Sequence, residues 1–493
     1  MKKLIILLSL SLSTSLIAQD YGDFPKIEKD KLHRDLDILF QGLDKYHTGM
    51  YWYTSKDIVE QEFEKARVQI NSDLDVLEFH KVIAPLVALS NEDHTDIYFN
   101  DFTNKLISTY ATRFPLSIVF LGEEMYCNRN GSNVDSAILG KKIISINGES
   151  PKQIVNKIGN LFASDGYINE VKYTDLKDFQ FSRYYYYYYG NVSSFTVEFE
   201  DAIIQFEPQR IKDISKLLSQ RSTNKKKTPR KETLEFKVIS DSIAYLGIHD
   251  FDNDEIKKNE INNNLPLFLE NSFKIIEKKG IVNVILDLTK NTGGSEGNEG
   301  LVYSFFGENY QKYIKVKAKT QKAILDNGID KPITLKTFGF FERIFFNKKM
   351  KDGSYLRRPN VGEGLMAYKK EPKYKYKGNL YVLISPVTYS ASSELSNMLF
   401  TNKHGTFIGQ ETGGGYYGNT SGYSQELILP HSKIIIKIPA LQFMMNVDDT
   451  IPFGRGVIPH HSITPSFEQY ANRVHASYEF ALKLIANQQQ LGQ

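Results

Sequence analysis

Apolar residues recur every three or four positions over the first part of the chain. Leu32, Leu36 and Leu39 show this spacing, and the same pattern continues as far as Leu89. It is typical of amphipathic helices that bury one face. The pattern therefore predicts an N-terminal helical domain, to which we assign residues 20–110.

Further along the chain, apolar and polar residues alternate in short segments. Segments 116–120, 143–146 and 195–199 show this alternation, which is typical of strands that bury one face. An Asn-Gly pair directly after the second segment favours a tight turn. We expect a β-rich domain over residues 111–220.

Part of this β-rich region, residues 140–155, is similar to the strand and following helix of a PDZ-like domain. PDZ-like domains receive extended peptides by adding a strand to the edge of their own sheet. A plain strand-turn-helix without a peptide groove is the alternative, because the glycine-rich carboxylate loop of typical PDZ domains is not evident. The similarity predicts a PDZ-like domain.

Two stretches of biased composition interrupt these patterns. Residues 184–189 are six consecutive tyrosines, which we interpret as an amphipathic surface strand with alternate rings buried, although such a run could also line a peptide channel. Residues 221–235 are rich in Lys and Arg, which is typical of a solvated linker. The linker separates the front half of the chain from the half that follows.

Continuous apolar segments characterise the second half. Residues 243–248, 281–286, 380–384 and 406–408 are such segments, with helical patterns between them. Uninterrupted apolar strands joined through helices predict a sheet covered on both faces. We therefore expect an α/β domain over residues 236–493, with its chemistry at the loops beyond the strand ends.

Composition and charge exclude several classes of function. At 493 residues the chain is too long for one core, so a multidomain protein is expected. The formal net charge is only +3, from 61 basic and 58 acidic side chains, which gives no strong field to favour nucleic acid as a partner. The histidines show no paired ligand spacing and Cys127 is the single cysteine, so no metal, other cofactor or internal disulfide is expected.

The beginning of the chain has the features of a secretory signal peptide. Lys2 and Lys3 precede an apolar run over residues 4–17, and Ala18 follows it. A buried N-terminal helix is the alternative, but such a helix would be expected to have a polar face. The pattern predicts a signal peptide over residues 1–19, a periplasmic or extracellular location, and no integral membrane segment after cleavage.

Two predicted strands lead into segments that could carry chemistry. The strand at 281–286 runs into a loop with Gly293 and Gly294, and paired glycines can expose N–H groups as an anion pocket. The strand at 380–384 runs into Thr-Tyr-Ser-Ala, where Ser390 precedes a helical pattern. A serine at such a junction is exposed beside the N–H groups of a helix N-terminus. A simple turn and a simple helix cap are the alternatives.

Two further motifs follow these segments, Gly-Gln-Glu-Thr-Gly-Gly-Gly at 409–415 and Gly-Val-Ile-Pro at 456–459. Together, the segments and motifs resemble the tail-specific, or C-terminal-processing, serine peptidases, in particular their tricorn-core-like branch. The resemblance extends over most of the mature chain. It implies a crotonase/ClpP-like α/β catalytic domain with Ser390 as nucleophile. The resemblance also implies an oxyanion hole formed by the backbone N–H groups of Ala391, Gly293 and Gly294.

The resemblance also bears on the general base. Family members that process C-terminal tails use a lysine, but Gly415 stands at that position, which disfavours a serine-lysine mechanism. The tricorn-like branch instead uses a histidine before the PDZ-like region, which implies His94 as general base. A structural histidine that caps the last N-terminal helix is the alternative.

That branch orients its histidine with a glutamate, and this chain has no carboxylate at the matching positions 453–455. A base without an orienting group loses its preferred tautomer and much of its rate. The carboxylates that could take over this role are Asp93, Asp448, Asp449 and Glu411.

Taken together, the signal-peptide pattern and the resemblance imply an exported serine peptidase that acts on peptides or unfolded proteins. A catalytically impaired protein that binds peptides or apolar ligands on the same fold is the alternative, because the family lysine and glutamate are missing. Acyl transfer on a small molecule by a related crotonase-like sheet is disfavoured, because no cofactor-binding signature is visible.

Overall fold

The computed structural model describes residues 24–135, 137–221, 232–319, 345, 347–358 and 371–491. The predicted signal peptide and most of the predicted basic linker lie outside the described residues. Across the described ranges, no helix combines the length and the apolar composition needed to cross a bilayer.

The N-terminal part is helical, as the apolar spacing predicts. Its elements are α1 (Lys29–Tyr46), α2 (Lys56–Gln69), α3 (Val76–Ala88), β1 (Asp96–Tyr98) and α4 (Asp101–Tyr110). Asp75 and Glu78 form a capping box that begins α3. Leu36 and Ile83 are fully buried in the core that these helices share, so the predicted apolar faces are the ones that pack.

A second region is built on an antiparallel sheet with the strand order β2-β3-β4-β5-β6. Its elements are β2 (Leu116–Leu121), β3 (Glu124–Asn130), β4 (Lys142–Ile146), α5 (Pro151–Ile158), a 3-10 turn (Gly159–Leu161), α6 (Glu170–Asp175), α7 (Gln180–Tyr189), β5 (Phe195–Phe199), β6 (Ile203–Phe206) and α8 (Ile211–Arg221). The predicted turn forms after β4, with φ of 51° at Asn147 and 80° at Gly148. The strands agree with the predicted β-rich region, and its PDZ-like character stays a prediction.

The run of six tyrosines is helical, so its prediction as a surface strand was wrong. It forms the C-terminal part of α7. Tyr185 belongs to the core of the antiparallel sheet, whereas the adjacent Tyr186 belongs to the core of the N-terminal helices. Aromatic residues favour strands only where a pleated surface is available to them. Here two cores flank the segment, and a helix can bury a different face in each.

The remaining elements form the C-terminal part. They are β7 (Leu234–Ser240), β8 (Ile243–Ile248), α9 (Asn253–Lys257), α10 (Leu265–Lys279), β9 (Asn283–Asp287), α11 (Asn298–Ser304), β10 (Tyr313–Ala318), β11 (Asn347–Lys349), β12 (Tyr355–Arg357), β13 (Asn379–Ile384), α12 (Ala391–Thr401), β14 (Thr406–Gly409), β15 (Gly418–Ile428), β16 (Ile435–Met445), β17 (His461–Ser462), α13 (Phe467–Ala471) and α14 (Ala476–Leu491).

The predicted α/β sheet is confirmed, with the strand order β17-β14-β13-β9-β8-β7. Its strands pair in parallel except for β7, which is antiparallel to β8. Val382 packs into a core with Leu395 of α12, whereas the next residue, Leu383, faces Ile485 of α14. Both faces are therefore covered. Because β9 and β13 are parallel neighbours, the loops that follow them meet at one edge.

A further sheet connects the two ends of the chain. Its order is β1-β16-β10-β12-β11, and β15 also pairs with β16. In the β1–β16 pair, Asp96 lies opposite Lys437 and Tyr98 lies opposite Ile435. The chain segment directly after His94 is thus hydrogen-bonded to a hairpin of the C-terminal half.

Candidate active site

Ser390 lies where β13 turns into α12. Its backbone has φ 49° and ψ −128°, a conformation that costs a non-glycine residue about 1–3 kcal/mol. Ser390 occupies the N-cap position of α12, but its side chain makes no capping hydrogen bond. The simple helix cap considered from the sequence therefore does not describe this serine. A strained turn between strand and helix is the arrangement that exposes a nucleophilic serine in other hydrolases.

The neighbouring serines are placed differently. Ser393 Oγ donates a hydrogen bond to the carbonyl oxygen of Ser390 at 2.8 Å. Ser392 is fully buried, and its hydroxyl has no hydrogen-bond partner among the described residues. Of these three serines, Ser390 is the one that is partly exposed to solvent.

The glycine loop after β9 packs directly on the serine. A methyl group added at Gly293 would lie 2.7 Å from Ser390 Cβ and 3.1 Å from the backbone nitrogen of Ala391. The N–H of Gly293 donates to Asn291 Oδ1 at 2.8 Å. In contrast, the N–H groups of Gly294 and Ala391 donate no hydrogen bond within the described residues. Two unused donors therefore lie in the segments that adjoin the serine.

His94 lies between α3 and β1, in a segment held from both sides. Thr95 Oγ1 is 2.7 Å from Nε2 of His47, at the end of α1. The carboxylate of Glu92, fully buried, accepts two hydrogen bonds from Thr420 of β15, from its backbone N–H and from its hydroxyl. The backbone around His94 is therefore fixed by both the N-terminal helices and the C-terminal hairpin.

Asp165 connects this segment to the loop around the serine. Its Oδ1 accepts a hydrogen bond from the N–H of Asp93 at 2.9 Å, and its Oδ2 accepts one from the N–H of Gly415 at 3.2 Å. At the preceding Gly414, an added Cβ would lie 3.3 Å from the backbone nitrogen of Ser390. Asp165 and residues 414–415 thus connect the segments of His94 and Ser390, which are far apart in sequence.

The imidazole of His94 has an unusual environment. Its Nδ1 is buried and has no hydrogen-bond partner among the described residues, so this nitrogen does not cap a helix. Burial lowers the pKa of His94 to about 4, and the charge of Lys437 acts in the same direction while Glu394 opposes it. At neutral pH the ring is therefore unprotonated, which is the form that can accept a proton.

The carboxylates considered as orienting groups have other partners or positions. Glu411 accepts hydrogen bonds at 2.8 Å from Nε of Arg455 and from the N–H of Gly456. Asp448 accepts one from the hydroxyl of Tyr416 at 2.8 Å. Within the described residues, none of the following is bonded to Nδ1 of His94: Asp93, Asp448, Asp449 and Glu411.

The space beside the position of the family lysine is filled by neighbouring groups. A Cβ added at Gly415 would lie 3.5 Å from the hydroxyl of Tyr53, 4.0 Å from Asp165 Cβ and 2.8 Å from the carbonyl oxygen of Gly418. A lysine at position 415 would have to enter this space. The expectation that a serine-lysine pair is not used stays a prediction.

A buried lysine does lie near α12. Lys312 is 1% exposed and pairs with Glu299 and with Glu394, whose Oε2 lies 3.5 Å from the lysine Nζ. Burial by itself would lower the pKa of Lys312, but these carboxylates raise it above its ordinary value. The ammonium stays protonated at neutral pH, so Lys312 balances buried negative charge and does not serve as a base.

β15 joins this cluster to the histidine segment. Asn419 Nδ2 donates to Glu394 Oε1 at 3.2 Å, and Glu394 lies one turn after Ser390 in α12. The next residue, Thr420, holds Glu92. Neighbouring residues of one strand therefore contact the serine helix and the histidine segment.

Reasoning from the sequence missed the residues that hold the site together. They contribute backbone contacts and buried hydrogen bonds, which have no motif of their own. Asp165, for example, precedes a glycine and has the appearance of an ordinary turn residue. The missed residues are His47, Glu92, Asp165, Asn419 and Thr420.

Comparison with known proteins agrees with this geometry. Residues 242–463 match the family model of peptidase family S41. The matched residues include Ser390 and the glycine loop after β9. The match indicates a serine-type peptidase. This part of the chain is therefore similar to peptidase family S41.

Solved structures of the protein CPAF are similar over nearly the whole chain. Mature CPAF complexed with lactacystin has a TM-score of 0.62 at 13% identity, covering 93% of this chain and 98% of that chain. A serine-to-alanine mutant of CPAF gives 0.62 at 12% identity over 91% and 96% of the two chains. At these identities the likeness shows a shared fold. A search of the curated proteins finds no match to the sequence.

Proposed function

We propose that this protein is an exported serine peptidase that hydrolyses peptide bonds through an acyl-enzyme on Ser390, with His94 as general base. The observation that carries the proposal is the strained backbone of Ser390, whose side chain does not cap the helix that it begins. A second support is His94, which is neutral at neutral pH. Its neighbours Asp93 and Thr95 are both hydrogen-bonded, Asp93 to Asp165 and Thr95 to His47.

In the proposed reaction, the imidazole of His94 takes the proton of the Ser390 hydroxyl as Oγ attacks the peptide carbonyl carbon. The N–H groups of Ala391 and Gly294 hold the oxyanion of the tetrahedral intermediate. Collapse of this intermediate breaks the C–N bond, and the imidazolium gives its proton to the leaving amine. Water then attacks the acyl carbon while the same imidazole takes its proton. The ester bond to Ser390 Oγ breaks, the imidazolium returns the proton to Oγ, and the second product is released.

Gly293 has a different role in this proposal from the one that the sequence implies. Its N–H is already bonded to Asn291, so Ala391 and Gly294 are the proposed donors. The absence of a side chain at Gly293 lets the loop approach Ser390 closely.

The first test is hydrolysis of a fluorescently labelled unfolded protein by the purified enzyme. Ser390→Ala should abolish hydrolysis and also covalent labelling by a fluorophosphonate probe. Ser392→Ala is the matched control, because its buried hydroxyl has no partner to lose among the described residues, and it should keep both. Undiminished hydrolysis by Ser390→Ala would reject the nucleophile, and undiminished hydrolysis by His94→Ala would reject the base.

One observation favours the alternative, a catalytically impaired protein that binds peptides or apolar ligands. Nδ1 of His94 has no orienting partner among the described residues, and a histidine without one loses orders of magnitude in rate. This alternative predicts saturable peptide binding by the purified protein with neither hydrolysis nor labelling of Ser390.

A further inference from the structure

A buried ion-pair cluster connects the two segments that carry the proposed oxyanion donors. Lys312 is buried and directly precedes β10. Its ammonium pairs with Glu299 of α11 and lies 3.5 Å from Oε2 of Glu394 in α12. Both carboxylates are also buried. One lysine from a third segment is therefore shared between the helix that follows the glycine loop and the helix that Ser390 begins.

Glu299 is fixed to the glycine loop. Its Oε2 accepts a hydrogen bond from the N–H of Gly297 at 2.9 Å. At the other end of the loop, next to the proposed donor Gly294, the N–H of Ser295 donates to the carbonyl oxygen of Phe251 at 2.9 Å. The loop from Gly294 to Glu299 is thus hydrogen-bonded at both ends. A displacement of Glu299 would therefore be passed to the donor through a short, restrained segment.

Glu394 is fixed to the segment of Ser390 in a similar way. Its backbone N–H donates to the carbonyl oxygen of Ser390 at 2.9 Å, across the first turn of α12. Its carboxylate accepts hydrogen bonds from the hydroxyl of Tyr313 at 2.7 Å and from Nδ2 of Asn419 at 3.2 Å. The position of this carboxylate therefore bears on the turn that carries Ser390 and the N–H of Ala391.

The charges of the cluster show what the lysine contributes. Two buried carboxylates repel each other, and removing their common partner leaves buried charge unpaired. Burial raises the pKa of Glu299, the charge of Lys312 opposes this shift, and the charge of Glu394 adds to it. Glu296 lies 3.9 Å from the lysine but its side chain is 45% exposed, so water screens it. Without Lys312, the packed helices α11 and α12 would carry like charges around one buried site.

We propose that Lys312 is a positioning residue that sets the spacing between the two oxyanion donors. The inference rests on the proposed peptidase function, which assigns these donors as the N–H groups of Gly294 and Ala391. Lys312 acts through Glu299 and Glu394 and takes no part in proton transfer. The donors belong to separate segments, so their spacing depends on contacts that span both segments. The shared lysine supplies such a contact, one that is buried and charged.

The first experiment compares Lys312→Met with the wild type in hydrolysis of the labelled unfolded protein and in the rate of fluorophosphonate labelling. Methionine fills much of the same space without the charge. We expect kcat and the labelling rate to fall by about 10-fold or more, with KM changed much less, because a displacement of about 1 Å at a catalytic group can cost about 100-fold.

The control for lost stability alone is Ile485→Ala. Ile485 is buried on α14, against the opposite face of the sheet from α12, and its truncation should cost about 2–5 kcal/mol. This variant should keep both rates when they are measured on the folded fraction, as determined by urea unfolding. A loss of kcat confined to Lys312→Met is the result that a merely structural lysine would not produce.

A second set of variants keeps the test valid if Lys312→Met does not fold. Glu394→Gln retains the shape of the side chain and leaves Lys312 paired with Glu299, so no buried charge becomes unpaired. It weakens the contact between the lysine and α12 and should lower kcat with little change in KM. In the double variant of Lys312→Met and Glu394→Gln, the two losses of kcat should not multiply, because residues that act as a unit are non-additive.

The outcomes separate the two proposals. Wild-type hydrolysis with full kcat in Lys312→Met or in Glu394→Gln overturns the positioning role and keeps the peptidase. Losses that multiply in the double variant, or an equal loss of kcat in Ile485→Ala, overturn it as well. If the wild type is labelled but does not hydrolyse the substrate, the peptidase is rejected, and slower labelling of Lys312→Met keeps the positioning role. A wild type that shows neither activity rejects both proposals.

Discussion

Thr420 donates two hydrogen bonds to the buried carboxylate of Glu92, at 2.7 Å from its backbone N–H and 2.8 Å from its hydroxyl. Burial raises the pKa of Glu92 well above its ordinary value, with the charge of Asp165 acting in the same direction, and the bonds from Thr420 oppose the shift. This contact fixes the segment of His94 to the hairpin that also holds the serine helix.

Replacing Thr420 should therefore disturb catalysis at a distance. Thr420→Val keeps the shape but removes the hydroxyl donor, which should cost about 1–3 kcal/mol of stability and lower kcat more than it raises KM. Thr420→Ser keeps the hydroxyl donor and should restore both the stability and kcat. Urea unfolding and steady-state kinetics measure the effects, and equal kcat values for the Val and Ser variants would show that the bond does not position His94.

Gly293 should be intolerant of any side chain. Gly293→Ala combines a backbone φ of 98° with a clash of its methyl group 2.7 Å from Ser390 Cβ. Gly297→Ala is a matched control, since Gly297 has φ 97° but open space around its Cβ position. Both variants should lose about 1–3 kcal/mol of stability through backbone strain. In kinetic assays only Gly293→Ala should lose most of kcat, and similar kcat values would contradict close packing on the serine.

The pH dependence of the reaction tests the base. Burial lowers the pKa of His94 to about 4, and the unprotonated ring is the active form. The value of kcat/KM should therefore stay high as the pH falls below 6.5, the ordinary pKa of histidine, and should be lost only as the pH approaches 4.

An acid limb near pH 6 would identify a different titrating group. Burial raises the pKa of Asp165 to about 6, although the N–H groups of Asp93 and Gly415 oppose the shift. Protonation of Asp165 would weaken its bonds to those two groups. Asp165→Asn should remove such a limb from the profile, whereas a limb set by His94 should remain.

Buried histidines should also make the fold sensitive to acid. Burial lowers the pKa of His80 from 6.5 to about 3. Between these two pH values His80 is therefore protonated in the unfolded chain and unprotonated in the folded chain. The neutral His80 ring leaves the free energy of unfolding unchanged above pH 6.5. As the pH falls from 6.5 towards 3, this free energy decreases by about 1.4 kcal/mol per pH unit for the one proton involved.

His80→Phe isolates this effect. The ring of His80 packs against both Phe99 and Tyr187, where a phenyl ring can replace it. The free energy of unfolding is measured by urea at several pH values from 7 down to 4. Its slope against pH should be smaller in this variant by the contribution of one proton. An unchanged slope would show that His80 is protonated in the folded protein.

Local patterns determined much of this protein from its sequence. Apolar spacing predicted the N-terminal helices and the strands of the α/β sheet, because periodicity follows directly from which face of an element is buried. Ser390 was also selected by the family resemblance of its motif, and its role as nucleophile stays a prediction. His94 was selected by the resemblance alone, and its role stays a prediction.

Only the tertiary structure decided the rest. The tyrosine run became a helix because two cores flank it, and no local pattern records a neighbour that is distant in sequence. The hydrogen bonds of Thr420 to Glu92 and of Gly415 to Asp165 join residues that are far apart in the sequence. Ser390 could be found in a short motif, whereas the contacts that hold the segment of His94 exist only after the chain has folded.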